Sequence, residues 1–164
     1  MVRAGGPKTM WIPDATEAYA ERSDIDVTAV AGSIGYRVRR AQIVLAQRFA
    51  VRFCAFDLRP SEFCALLLIS ENPGRKQSEI AAALAIRRAN FVTVINVLER
   101  RGLAERRDAA GDRRSTALHL TARGEKLLAA ARQVQAGFET ECLEKLGGPQ
   151  ARDAFLAGLA RLTF

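Results

Sequence analysis

The fold turns on one stretch: Gln77-Ser78-Glu79-Ile80-Ala81-Ala82-Ala83-Leu84-Ala85-Ile86-Arg87-Arg88-Ala89-Asn90-Phe91-Val92-Thr93-Val94-Ile95-Asn96-Val97-Leu98-Glu99-Arg100-Arg101-Gly102. Its first half predicts a short, alanine-rich helix from Gln77 to Leu84, followed by a brief turn at Ala85-Ile86. The second half predicts a helix from about Arg88 to Arg101, because Phe91, Val94, Ile95 and Leu98 recur at three- and four-residue steps and so share one apolar face. Arg100 and Arg101 fall in its last turn, where cations favour the helix dipole, and Gly102 suits the left-handed position just beyond. The stretch is therefore a helix, a tight turn and a helix.

Beyond Gly102 the period changes. Leu103–Arg107 and Ser115–Leu120 read as two short strands, joined by a turn over Asp108–Arg114 that is rich in Gly, Asp and Arg. Thr121 then caps a long helix bearing Leu127, Leu128, Ala131, Val134 and Phe138. Gly147-Gly148-Pro149 breaks it, and a last helix carries Phe155, Leu159 and Leu162.

Upstream, Leu58-Arg59-Pro60-Ser61-Glu62-Phe63 opens another helix. Pro60 fits the first helical position, and Leu58 and Phe63 are spaced for a hydrophobic staple. That helix stops before Asn72-Pro73-Gly74, and the usual Ser, Thr or Asp cap is missing at both Arg59 and Lys76. From about Gly32, Ile34, Val38, Ala41, Leu45 and Phe49 form one stripe on a long helix, longer than a local core needs, which points to a partner helix. Residues 1–30 show no sustained period and read as a flexible arm, with a short helical piece around Ala15–Glu21. The expected organisation is this arm over 1–30, a long helix over 31–57, a helical segment with a hairpin over 58–121, and C-terminal helices over 122–164.

The 164 residues, 49% of them hydrophobic, suit one globular domain with its own core. The longest strongly apolar run, Ala65–Ile69, is too short for a bilayer, and no secretory signal follows Arg3 and Lys8, so a cytoplasmic location without membrane attachment is expected. The three cysteines, Cys54, Cys64 and Cys142, form neither a disulfide framework nor a metal-ligand spacing, and no metal or cofactor is expected. Net charge is +7, and from Arg75 to Lys126 there are 12 Lys or Arg against 6 Asp or Glu, while Asp14, Glu17, Glu21, Asp24 and Asp26 crowd the N-terminal part. A basic segment that also holds Gln, Asn, Ser and Thr suits a phosphate backbone.

Helix, turn, helix and then a hairpin with a charged tip is the order of a winged helix-turn-helix, in a mainly α fold with a small β-hairpin wing. Such a helix enters the major groove, where base edges differ, and the hairpin places an arginine at the electronegative minor groove. Four motifs resemble the MarR family: Pro60-Ser61-Glu62-Phe63, Gln77-Ser78-Glu79-Ile80-Ala81, Leu98-Glu99-Arg100-Arg101-Gly102-Leu103, and Asp112-Arg113-Arg114-Ser115 with Leu120-Thr121 and Gly124. The resemblance covers about Gly32 to Leu162, and it implies a dimerisation helix over 31–57, a DNA-binding domain over 58–121 and C-terminal helices over 122–164 that complete the dimerisation region. It implies a homodimeric repressor of a palindromic operator in double-stranded DNA, with half-sites roughly 10 base pairs apart. It makes the helix from Arg88 the recognition helix, with Arg87, Arg88, Asn90, Val92, Thr93 and Asn96 facing DNA. Asn90 and Asn96 suit an adenine edge, and Val92 or Thr93 a thymine methyl. Gln77 and Ser78 are expected on phosphate, Arg113 at the wing tip, with Arg114 beside it and Asp112 orienting one of them. Many members carry Arg or Lys where this chain has Thr93, and a polar residue at Val97.

The family resemblance also implies a small anionic aromatic effector. Gly35-Tyr36-Arg37-Val38-Arg39-Arg40 resembles the start of members that sense aromatic acids or their coenzyme A thioesters, which makes Tyr36, Arg37, Arg39, Arg40 and Phe63 the ligand candidates. Against this stands pairing of those arginines with a partner subunit or with water. His119, on a wing strand, reads as structural. The chain has no nucleophile elbow, P-loop, dinucleotide fingerprint or paired histidines, so an enzyme is not expected. Two alternatives remain: a repressor switched by thiol oxidation at Cys54 or Cys64, and a winged-helix protein-interaction module without DNA binding.

Overall fold

The computed structural model describes residues 25–109 and 112–163, with backbone alone for 108, 109 and 112–115. Most of the expected N-terminal arm, including Ala15–Glu21, lies outside the described residues. The chain divides into two compact units, Met1–Arg48 and Phe49–Phe164.

In the first unit a one-turn helix, α1 (Thr28–Ala31), interrupts the segment expected to be irregular. Asp26 lies just before it: its carboxylate accepts from the Thr28 N–H at 2.9 Å, and the Thr28 hydroxyl together with that N–H holds its pKa below the ordinary value. The long helix α2 (Ile34–Arg52) begins where Ser33 Oγ accepts from the Tyr36 N–H at 3.3 Å, and it runs on into the second unit. Among the described residues its apolar stripe is exposed over most of its length. Ile34 is 64% exposed, Val38 and Leu45 are exposed as well, and Phe49 alone of the helix is buried.

The second unit is built on aromatic packing. Phe49 and Phe53 stack with centroids 3.9 Å apart, and the Phe63 ring meets Phe53 edge-on at 4.9 Å. Around them lie Leu58, Leu66, Ile69, Phe91, Ile95, Leu98, Leu103, Leu118 and Leu128. A short 3₁₀ turn, Cys54–Phe56, ends with Asp57 in the left-handed conformation at φ 48°. Helices α3 (Pro60–Glu71), α4 (Gln77–Ala83) and α5 (Arg88–Arg100) follow.

The missing caps have a physical replacement. Arg59 and Lys76 carry no acceptor, and the carboxylate three residues on reaches back instead. Glu62 accepts from the Arg59 N–H at 3.0 Å, and Glu79 from the Lys76 N–H at 2.8 Å. Ala85 makes the tight turn between α4 and α5 at φ 53°, and Gly102 ends α5 at φ 65°, as its position requires.

Strands β1 (Ala104–Ala109) and β2 (Asp112–Leu120) pair antiparallel. They run further toward the tip than the sequence suggests. Pairing is regular from Ala104↔Leu120 to Asp108↔Thr116, then jumps to Ala109↔Asp112, so Arg113–Ser115 lie in a bulged stretch of β2. Gly74–Lys76 adds a third edge that the breaker Asn72-Pro73-Gly74 conceals. Gly74 N–H donates to the Leu118 carbonyl at 3.0 Å, Leu118 N–H to that of Arg75 at 2.9 Å, and Lys76 bridges Ala117.

Thr121 caps α6 (Ala122–Leu146), accepting from Gly124 N–H at 3.0 Å and donating to the Gly102 carbonyl at 2.6 Å. Gly147 and Gly148, both at positive φ, lead into α7 (Pro149–Thr163), which has no buried residue. Where α2 ends, Arg52 pairs with Glu141 of α6 and lies 5.1 Å from the centre of the Phe138 ring.

Candidate nucleic-acid interface

Helix α5 separates its two faces cleanly. Phe91, Ile95 and Leu98 are wholly buried and Val94 half-buried, which turns Arg88, Asn90, Val92, Thr93 and Asn96 outward, all exposed. Arg87, the residue before the helix, is exposed too. Gln77 and Ser78 open α4 and are half-buried. Asp112, Arg113 and Arg114 belong to β2 in backbone rather than to the turn, and their side chains lie outside the described residues.

Arg106 of β1, which the sequence does not single out, gathers part of this surface. Its backbone N–H donates to Glu99 Oε1 at 3.0 Å, and its Nη1 pairs with Glu99 Oε2. Nε and Nη2 both donate to Gln77 Oε1, at 3.1 and 2.9 Å, and Nη2 also donates to Asn96 Oδ1 at 3.1 Å. The signal available in advance was weak: two adjacent arginines on a short strand, of which Arg107 pairs locally with Glu105.

At the far end of α5, Arg101 ties the helix to the turn before α3. It donates to the carbonyls of Asp57 at 2.5 Å and Phe56 at 2.6 Å, and stands 3.8 Å from the buried Glu62 carboxylate.

The ligand candidates divide between the units. In the first, Tyr36 and Arg40 are half-buried, Arg39 is exposed, and Arg37 Nε donates to the Ala31 carbonyl at 2.5 Å. In the second, Phe63 is buried among the other phenylalanine rings, a packing position. Cys54 is exposed. Cys64 is half-buried, and burial pushes its thiol pKa up, the opposite of what a reactive thiolate needs.

Residues 56–115 match the MarR family model. The regulator HosA of Escherichia coli O111:H- is 31% identical over 94 residues, which cover 57% of this chain and 70% of HosA. The repressor CouR, solved bound to a 23-mer DNA duplex, is 38% identical with a TM-score of 0.79, over 87% of this chain and all of that one. The chain belongs to the MarR family. CouR solved with p-coumaroyl-CoA is 35% identical with a TM-score of 0.76, over 85% of this chain and 97% of that one. A Thauera aromatica protein named for transcriptional regulation of the hcr operon is 36% identical over 106 residues, which span 64% of each chain. For a member of this family, α4 and α5 are the helix-turn-helix and β1–β2 the wing. Among the described residues no single helix is long and apolar enough to cross a membrane.

Proposed function

We propose that this MarR-family chain is a homodimeric, sequence-specific DNA-binding repressor, released from a palindromic operator by a small anionic aromatic ligand, either an aromatic acid or its coenzyme A thioester. The observation that carries the reading is the likeness to CouR in both its DNA-bound and p-coumaroyl-CoA-bound forms. The outward row on α5 and the basic segment from Arg75 to Lys126 support it, since positive charge beside amides and methyls suits a groove lined by phosphate. Arg113 and Arg114 serve as the wing arginines, and Arg37, Arg39 and Arg40 with Tyr36 as the anion-receiving group.

Release is a shift of population. A ligand that favours dimers with wrongly spaced recognition helices weakens DNA binding by its differential affinity for the two forms, and by no more. The site of action is the cytoplasm, where the operator is.

The test is a mobility shift of the DNA upstream of the chain's own gene at about 50 and 200 mM salt, where several phosphate contacts cost orders of magnitude in affinity. Binding that falls with salt, weakens in Arg113→Ala and is reversed by aromatic coenzyme A thioesters is the expected result. Absence of preference for any genomic fragment favours the protein-interaction module. A complex indifferent to these ligands but released by peroxide, and protected by Cys54→Ser, favours the thiol switch.

A further inference from the structure

Arg106 is not among the residues that the sequence marks as DNA-facing, yet it touches two that are. Gln77 opens α4 and Asn96 lies in the later half of α5, and the guanidinium on β1 reaches both. A guanidinium has five N–H donors and no acceptor. Only the oxygen of an amide can meet it. The orientation of both amides therefore follows from the chemistry of their shared neighbour: each oxygen is turned to Arg106, and each NH2 group is left on the other side.

The geometry points to Arg106 as a positioning residue that sets the hydrogen-bond polarity of the DNA-facing surface, holding the oxygens of Gln77 and Asn96 so that both residues meet nucleic acid as donors. The inference rests on the DNA-binding reading above and deepens it. Glu99 completes the arrangement. Its two oxygens take the Arg106 backbone N–H and Nη1, which anchors the guanidinium and offsets its charge. Orientation, rather than added positive charge, is what Arg106 contributes.

Two consequences bear on specificity. Gln77, as a donor, suits a phosphate oxygen, which only accepts. Asn96 is drawn away from the paired acceptor-and-donor contact that recognises adenine through N6 and N7, because that contact requires its oxygen to leave the guanidinium. Its NH2 group favours acceptor edges: purine N7, guanine O6 or thymine O4. Asn90, which no such contact constrains among the described residues, keeps the adenine-reading option.

The probe is a duplex enriched by the wild-type protein from a randomised pool, assayed against each single base change. Asn96→Ala weakens binding on the order of 10-fold, the scale of one good edge contact, and Gln77→Ala weakens it on the order of 10-fold, the scale of one hydrogen bond to a charged group. In an Arg106→Met background the same two changes have at most about a 2-fold effect, because amides that have lost their fixed polarity have little left to lose. Arg106→Met also relaxes base preference at the step Asn96 faces, and there alone. Multiplicative losses with unchanged preference overturn the proposal and leave Arg106 a support for the fold. A wild-type protein that enriches no duplex fails the underlying DNA reading, a different result. Should Arg106→Met not fold, NMR of the DNA-free protein decides: the Arg106 side-chain N–H signals shift in Gln77→Ala and in Asn96→Ala, and signals unmoved by either change overturn the proposal.

Discussion

Gly124 lies so close to Leu103 that a β-carbon on it would stand 1.9 Å from the Leu103 carbonyl oxygen. The obstacle is backbone, held in place by the Thr121 N–H, which donates to that same carbonyl at 3.1 Å. The start of α6 is thereby pressed against the base of the wing, and no rotamer change can relieve the contact. Gly124→Ala is expected to cost about 3 kcal/mol, the upper part of the range for overpacking. A thermal melt reads this as a fall of roughly 6–12 °C for a chain of this size. An unchanged melting temperature would mean that the helix start shifts without penalty.

Arg101 makes a second joint, between the end of α5 and the turn before α3. Its two carbonyl bonds, at 2.5 and 2.6 Å, are charge-assisted, and its side chain is 24% exposed. Arg101→Met removes both and leaves buried Glu62 without its cation, a loss of about 2 kcal/mol. Chemical denaturation should show a lower midpoint with an unchanged slope. Arg101→Lys recovers only part of the loss, because one ammonium cannot match a fork aimed at two carbonyls.

The helical framework was legible in the sequence because its signals are local. Pro60 at the first position of α3, Gly102 after α5 and Thr121 before α6 each do what their chemistry predicts. What escaped reading depends on contacts distant in the chain. The third wing edge at Gly74–Lys76 exists only because β2 lies alongside it. Arg106 joins residues 29 and 10 positions away, a relation no periodicity encodes. The length of the α2 stripe already pointed to a partner helix, and among the described residues Ile34, Val38 and Leu45 are exposed.

The substitute caps can be tested at Glu79, which accepts from the Lys76 N–H and also stands 3.5 Å from Arg75. The ion pair is exposed and contributes little, so the cap dominates. Glu79→Ala should cost about 1 kcal/mol, as for loss of other N-terminal caps. Glu79→Gln keeps an acceptor and should recover most of that loss. If both variants lose stability equally, charge rather than capping is what Glu79 supplies.

Burial raises the Cys64 pKa, and the sign of the resulting pH dependence follows directly. The unfolded thiol loses its proton near pH ~8.5, while the folded thiol still holds its own. Above that pH the unfolded state binds fewer protons, so stability falls as pH rises toward the folded pKa. Melting curves of wild type and Cys64→Ala between pH 7 and 10 should diverge in slope, with the steeper alkaline loss in wild type. In the native protein at neutral pH, a thiol reagent should label exposed Cys54 well before Cys64. Equal labelling rates would mean that the Cys64 site opens readily.

Among the described residues of helix α7 none is fully buried, and Phe155, Leu156 and Leu162 stand exposed along it. Each such side chain stabilises an assembly by roughly 1.5–3 kcal/mol when fully covered, and a homodimer is the assembly proposed here. Phe155→Glu combined with Leu162→Glu should therefore shift sedimentation from dimer toward monomer. Helix content should hardly change, since neither side chain supports the single chain's core. A palindromic operator makes the second half-site contact intramolecular, and loss of that linkage costs roughly 100-fold or more in affinity. The doubly substituted protein is thus expected to lose operator binding together with dimerisation, although no DNA-facing residue has changed. Tight binding by a demonstrably monomeric variant would refute the two-fold arrangement while leaving the recognition helix intact.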